Sequence, residues 1–272
     1  VKQFAREKDL LILQPEKLRN EELISQLNEL KPDVMVVVAF RMLPEVIWRI
    51  PRLGTFNLHA SLLPQYRGAA PINWAVINGE THTGLTTFLI DKKIDTGSII
   101  LQQKVEVKPN ETAGELHDKL KGLGGKLVVE TIEKLAKADF KPKPQNQFFQ
   151  SEAELKPAPK IFKETCRIDW NKTGAEIHNF IRGLSPYPAA WTEFSTADGS
   201  KYSAKIFRSS FQQDENDNAT PGTIVTNGAN FFKVKCANGY VSILEIQLAG
   251  KRNLPINEFL KGFRVAENLI AL

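Results

Sequence analysis

The sequence predicts an α/β domain organised around a parallel sheet, followed by a linker and a small β-barrel, and three observations carry that reading. A helical stretch at 20–30 leads into V-M-V-V-V-A at 34–39, an unbroken apolar run of strand length, as expected for a parallel strand buried on both faces. From 139 to 163 the composition turns to K-P-K-P-Q-N-Q and L-K-P-A-P-K, proline-rich and without period, which marks an extended linker. Beyond it, short strand-like runs are punctuated by Pro221-Gly222, Asn227-Gly228 and Asn238-Gly239, the signature of tight hairpins in a small barrel. The two domains are therefore expected at 1–138 and 164–272, with the linker at 139–163.

Taken in order, residues 1–8 read as a short helix and 10–13 as a brief strand. Asn20 caps a helix that carries Leu23, Ile24, Leu27 and Leu30 at helical spacing, with Glu21 and Glu22 at the positive end of its dipole. Residues 55–59, T-F-N-L-H, end a strand that Pro64 stops, and Pro71 suits the first turn of a helix running to Asn78-Gly79. Strands are expected at 84–90 and 98–107, on either side of a 91–97 loop. Thr112 with Glu115 is a capping box for a long helix with Leu116, Leu120, Leu123, Leu127 and Ile132 on one side. Thr173 with Glu176 repeats the box for a helix carrying Ile177, Phe180 and Ile181, ended by Gly183 and the stiff S-P-Y-P at 185–188. Barrel strands follow at 191–194, 201–211, 223–226, 231–237 and 240–248. Lys201, Lys205 and Arg208, and Lys233 with Lys235, are read as solvated faces of these strands.

The chain has 272 residues, 42% of them hydrophobic, enough for two real cores. No apolar run approaches the ~20 residues of a membrane span. The start, V-K-Q-F-A-R-E, lacks a signal-peptide layout, so a cytoplasmic placement is expected. Cys166 and Cys236 lie in separate segments without zinc-site spacing and read as small buried apolar residues, not as a disulfide or a metal site. A net charge of +5 permits an anionic partner without naming one.

Asn57 and His59 alternate onto one face of their strand, roughly 6.6 Å apart. They sit at the carboxyl rim where open α/β sheets bind ligands. An amide and an imidazole converging on one small group suit attack on a carbonyl: the amide donates to the oxygen that gains charge, the imidazole moves a proton. Asp95, in the turn I-D-T-G, offers a carboxylate to orient the imidazole or to accept a proton through water. Asp91, beside Lys92 and Lys93, reads instead as a turn residue, and His82 and His117 as surface residues. Arg67 reads equally as an anion contact, to a phosphate or a ligand's glutamate carboxylate, or as half of a salt bridge holding its loop.

The stretch N-L-H-A-S-L-L-P-Q-Y-R-G-A-A-P at 57–71, followed by I-D-T-G at 94–97, resembles the folate-dependent formyltransferase family, and within it most the methionyl-tRNA formyltransferases. The likeness runs through nearly the whole chain. It implies a Rossmann-like formyltransferase domain, an OB-like tRNA-binding domain, and Asn57, His59 and Asp95 as the catalytic group. It implies 10-formyltetrahydrofolate as the formyl donor, no permanently bound cofactor or metal, and initiator methionyl-tRNA as the acceptor of a monomeric enzyme. Ser61, Leu62, Leu63 and Pro64 would shape the folate pocket together with the Phe40-Arg41-Met42 loop, in which Arg41 stands where the family usually carries a glycine. Arg67, Lys141, Lys143, Lys205 and Arg208 would touch the substrate. The family also implies a first strand-helix-strand unit, with a basic loop, ahead of these residues. Two other readings keep part of this picture: an amino-sugar nucleotide as acceptor, or a tRNA-binding remnant with an incomplete folate pocket.

Overall fold

The computed structural model describes residues 1–39, 42–137, 139–214, 217–266 and 268–272. In its first part, α1 (Lys2–Glu7) and α2 (Glu21–Glu29) precede β1 (Met35–Val38). There follow α3 (Glu45–Trp48), β2 (Thr55–His59), α4 (Pro71–Ile77), β3 (His82–Leu89), β4 (Ile99–Glu106) and the long α5 (Ala113–Leu135). The four strands form one sheet in chain order. β1 and β2 are parallel, as the α3 crossover allows, while β2–β3 and β3–β4 are antiparallel. Parallel character is therefore confined to one step of a mixed sheet.

Two expectations change here. Residues 10–13 form no strand, because no described neighbour pairs with them, and Leu10 and Leu11 stay largely exposed. β1 is the edge strand among the described residues, so Val36 and Val38 are exposed instead of covered on both faces. The opposite side of the sheet is filled as its helical period requires. Leu116, Leu120 and Leu127 of α5 fall on one stripe and pack against Val76, Leu85, Val105 and Val107. The Thr112 box closes with both of its hydrogen bonds, fixing where α5 starts.

The second part opens with α6 (Gly174–Leu184), again started by a complete capping box at Thr173. β5 (Ala190–Ser195), β6 (Lys201–Gln213), β7 (Ile224–Thr226), β8 (Phe232–Cys236), β9 (Gly239–Leu248), β10 (Leu254–Pro255), α7 (Ile256–Gly262) and β11 (Ile270–Ala271) follow. The antiparallel order β11-β5-β6-β9-β8-β7, with a bridge from Thr223 to Ile270, brings the two ends of the sheet together as an OB-like barrel. Ala190, Thr192 and Phe194 alternate into its core, where Phe194 meets Phe232 edge to face at 5.4 Å. A register shift between Ile206 and Ser209 changes the phase of β6, turning Arg208 outward just after the buried Ile206. Lys235 is not on a solvated face: it is buried, and its Nζ donates to the Asp217 carbonyl at 2.7 Å. Both cysteines are buried and free.

The stretch between the two sheets is not an open tether. Lys143 and Ile99 exchange backbone hydrogen bonds at 2.8 Å in both directions, laying the chain along β4. Ala158 is fully buried, donating to Arg67 O at 2.8 Å and accepting from Ala70 N–H at 3.2 Å. The two parts also meet directly where α4 crosses α6. Asn73 Nδ2 donates to Gly183 O at 2.8 Å, and the buried Arg182 donates to Glu111 O at 2.9 Å.

Gly183 is required at that crossing, since a Cβ there would lie 2.5 Å from Ile77 Cγ1 and 2.9 Å from Ile77 N. Gly183→Val is expected to cost about 1–3 kcal/mol and to lower the midpoint of thermal denaturation. Gly125→Ala, in the middle of α5 with nothing within 4 Å of the new Cβ, is expected to raise it.

Candidate active site

β2 sets the frame, because its register on β3 places Asn57 opposite Phe88 and His59 opposite Thr86. The loop after β2 is then fastened to β3 through one buried hydroxyl. Thr86 Oγ1 accepts from Leu63 N–H at 3.0 Å and donates to Ser61 O at 2.6 Å. The chain turns back through Tyr66, which takes a left-handed φ of 61°, and Gly68 at φ 126°. Gly68 has no substitute, as a Cβ there would lie 2.4 Å from the carbonyl oxygen of Ala158.

This turn fixes the imidazole. His59 is 6% exposed, and its Nε2 lies 2.8 Å from the Tyr66 carbonyl oxygen. A carbonyl only accepts, so Nε2 carries the hydrogen, and Nδ1 has no donor or acceptor in hydrogen-bond range among the described residues. Nδ1 faces Asp95 Oδ2 at 3.8 Å, too far for a direct hydrogen bond but close enough for charge to be felt. Asp95 Oδ2 is held in turn by the Gly68 N–H at 2.9 Å. Asp95 sits at φ 55°, a left-handed conformation that aspartate tolerates. Asp91 is the turn residue it was read to be: its carboxylate accepts from Lys93 N–H and from Thr96 Oγ1, bracing the loop from within.

Asn57 completes the group. Its Oδ1 is buried and has no hydrogen-bond partner among the described residues. An orphaned polar atom of this kind costs about 1–3 kcal/mol, which a hydrogen bond to a guest would recover. The structure thus brings His59, at the end of β2, against Asp95, in the loop before β4, and leaves Asn57 Oδ1 unpartnered among the described residues two positions back along the same strand.

The residues read as a folate pocket serve first as the foundation of this loop. Ser61, Leu63 and Pro64 are buried, and Leu62 is partly so. Ser61 Oγ donates to Gln65 O at 2.6 Å and Leu63 O accepts from Gln102 Nε2 at 2.7 Å. Met42 is 75% exposed, whereas Phe40 and Arg41 lie outside the described residues. Among the cations, Arg67 is bound inside the protein, by an amide instead of a carboxylate: Nε and Nη2 donate to Gln145 Oε1 at 3.1 and 2.7 Å. Lys205 donates to Pro188 O at 3.2 Å, and Arg208 pairs with Glu115 at 2.5 Å and Glu245 at 3.3 Å. Lys141 and Lys143 are exposed and make no ion pair among the described residues.

Two contributors escape a sequence reading. Tyr66 acts through its backbone carbonyl, while its hydroxyl donates to Glu80 Oε1 at 2.6 Å. Burial, and then Glu80, push that hydroxyl well above the ordinary tyrosine range. Burial alone would raise Glu80, but hydrogen bonds from Lys156 and Tyr66 outweigh it and hold the carboxylate below its usual value. Gln145 sits in a polar, proline-flanked run that shows no periodicity to mark it. Long-range nitrogen–proton correlation spectra of His59 in its neutral form are expected to find the hydrogen on Nε2. A ring protonated at Nδ1 would contradict the Tyr66 bond.

Known proteins resemble this chain in sequence and in fold. The family model described as formyl transferase matches residues 1–132, and that described as formyl transferase, C-terminal domain, matches 160–264. A methionyl-tRNA formyltransferase of Bacteroides fragilis is 53% identical over 267 residues, covering 98% of this chain and 82% of the relative. One of Flavobacterium johnsoniae is 44% identical over the same share of each chain. Among solved structures, HypX from Aquifex aeolicus in complex with tetrahydrofolic acid superposes with a TM-score of 0.61 at 22% identity, over 89% of this chain and 42% of that one. WlaRD, a sugar 3N-formyl transferase, superposes at 0.63 and 21%, over 93% and 82%. These structural likenesses establish the fold, and the family models and close relatives go further: the chain belongs to the formyltransferase family.

Proposed function

We propose that this chain transfers the formyl group of 10-formyltetrahydrofolate to the α-amino group of initiator methionyl-tRNA, in the cytoplasm, with Asn57, His59 and Asp95 as the catalytic group. The observation that carries the site is the combination of His59 Nδ1, 3.8 Å from the Asp95 carboxylate, with the orphaned Oδ1 of Asn57. The curated relatives support the acceptor and the family supports a folate-derived donor.

The amine nitrogen attacks the formyl carbon, and the oxygen that gains charge is met by the Asn57 amide, turned to present an N–H. His59 Nδ1 takes the proton that the amine must lose. The imidazolium so formed faces Asp95 in a mostly buried setting, where the attraction is stronger than in water. As the bond from carbon to the folate nitrogen breaks, the same Nδ1–H returns the proton to that nitrogen. The balance closes with formyl-methionyl-tRNA and tetrahydrofolate. In this reading residues 1–138 carry the chemistry, Ser61 to Pro64 with the Phe40-Arg41-Met42 loop shape the donor pocket, and 164–272 hold the acceptor arm. Lys141 and Lys143 on the linker, with Lys205, are the proposed phosphate contacts. Arg67 and Arg208 reach a phosphate only by exchanging their present partners.

Asn57→Ala and His59→Ala are each expected to lower kcat by ~10²- to 10³-fold, and Asp95→Asn to lower it as well, with circular dichroism unchanged. Rates within twofold of the parent in all three would falsify the assignment, and preferential formylation of an amino-sugar nucleotide would transfer it to that acceptor. RNA affinity is expected to fall with salt by ~0.7 to 0.9 log units per phosphate contact for each log of salt. Lys141→Gln with Lys143→Gln should flatten that slope, measured by filter binding across a salt series.

A further inference from the structure

We infer that Gln145, a linker residue, is the positioning residue that sets Asp95 against His59. This inference rests on the proposed catalytic role of Asp95. Gln145 is 3% exposed although the residues around it, Lys143, Pro144, Asn146 and Gln147, are exposed. Its side chain is committed at every strong valence. Nε2 donates to Asp95 O at 2.9 Å and to Gly97 O at 2.8 Å, while Oε1 accepts both Arg67 bonds.

Those four bonds close a ring around the site. On one side the amide clamps the backbone of the 95–97 turn. On the other it holds Arg67, whose chain neighbours supply the two backbone groups that touch the catalytic side chains: Tyr66 O on His59 and Gly68 N–H on Asp95. A shift of Gln145 therefore moves the two loops relative to each other, and the 3.8 Å separation of Nδ1 from Oδ2 with them. The ladder between Lys143 and Ile99 delivers Gln145 to this point, and the Arg67 ring contact with Phe149, at 5.8 Å, lies just downstream. The linker is thus a structural member of the catalytic centre, and a load on the segment that joins the two domains reaches Asp95 through one amide.

The test is steady-state formyl transfer by the full chain with Gln145→Met, which keeps the volume and loses the four bonds, and Gln145→Glu, which keeps an acceptor for Arg67 and loses the two donors. Both are expected to lower kcat by ~10- to 100-fold, with KM for donor and RNA within about twofold. Gln145→Met placed on Asp95→Asn is expected to slow it by less than about threefold, since the two changes act at one point. A further drop as large as in the parent would show that Gln145 works elsewhere and overturn the inference. So would parent-like kcat in Gln145→Met and Gln145→Glu while Asp95→Asn is slow. Parent-like kcat in Asp95→Asn would instead remove the reading on which the inference stands. If Gln145→Met unfolds below assay temperature, Gln145→Glu decides alone: normal kcat overturns, reduced kcat at normal KM supports.

Discussion

The site depends on one constraint, the backbone turn at 66–68. The two peptide groups that flank Arg67 meet three other parts of the chain. Tyr66 O takes the His59 ring, Arg67 O takes Ala158 N–H, and Gly68 N–H takes the Asp95 carboxylate. The left-handed φ of Tyr66 costs roughly 1–2 kcal/mol, and its surroundings offset that cost. The ring is buried at 4% exposure, and the hydroxyl is tied to Glu80, which Lys156 also meets at 2.6 Å. A turn held this way converts residues far apart in the chain into neighbours without needing a direct bond between any two of the side chains of Asn57, His59 and Asp95.

That missing bond is what makes the arrangement chemically useful. With its hydrogen on Nε2, His59 presents Nδ1 as an acceptor, and the Asp95 carboxylate only accepts too, so the two do not bond each other and Nδ1 stays open to a proton. At 3.8 Å Nδ1 faces Oδ2 without bonding it, Oδ2 is held by the Gly68 N–H, and Asn57 Oδ1 along β2 has no hydrogen-bond partner among the described residues. Folding has taken these polar groups out of water without giving them full protein partners. Backbone partners hold His59 and Asp95 in place, whereas the Asn57 amide has to turn before it can present an N–H.

The same logic orders the linker and docks the barrel. An exposed ion pair such as Arg208 with Glu115 contributes ~0–1 kcal/mol, too little to hold two domains in register by itself. The α4–α6 contact carries more, because Gly183 admits close approach and Arg182 brings its buried guanidinium to the carbonyls at the start of α5. Glu115 serves on both sides: as the closing residue of the α5 capping box and as the partner of Arg208. Its carboxyl is held below the usual range by the Thr112 backbone N–H first, and then by Arg208.

Local chemistry made much of this legible beforehand. Thr-x-x-Glu opened both long helices, Pro71 stood at a helix start, and Pro-Gly and Asn-Gly pairs bounded the barrel strands, because each of these signals is satisfied within a few residues. The motif at 57–71 with Asp95 likewise identified the family and the group that β2 and the following loops bring together. What sequence did not determine is everything that needs a partner from elsewhere. The strand expected at 10–13 found no neighbour, β1 stayed at an edge, and Lys235 went inside to reach a carbonyl. Arg67 met an amide, and Gln145, in a run with the composition of a tether, became the most heavily bonded side chain beside Asp95. Helix caps and turns are decided by neighbours in the chain, whereas burial and strand pairing are decided by groups dozens of residues away, and the tautomer of His59 by a turn that folds Tyr66 back onto it, contacts that only the tertiary structure makes.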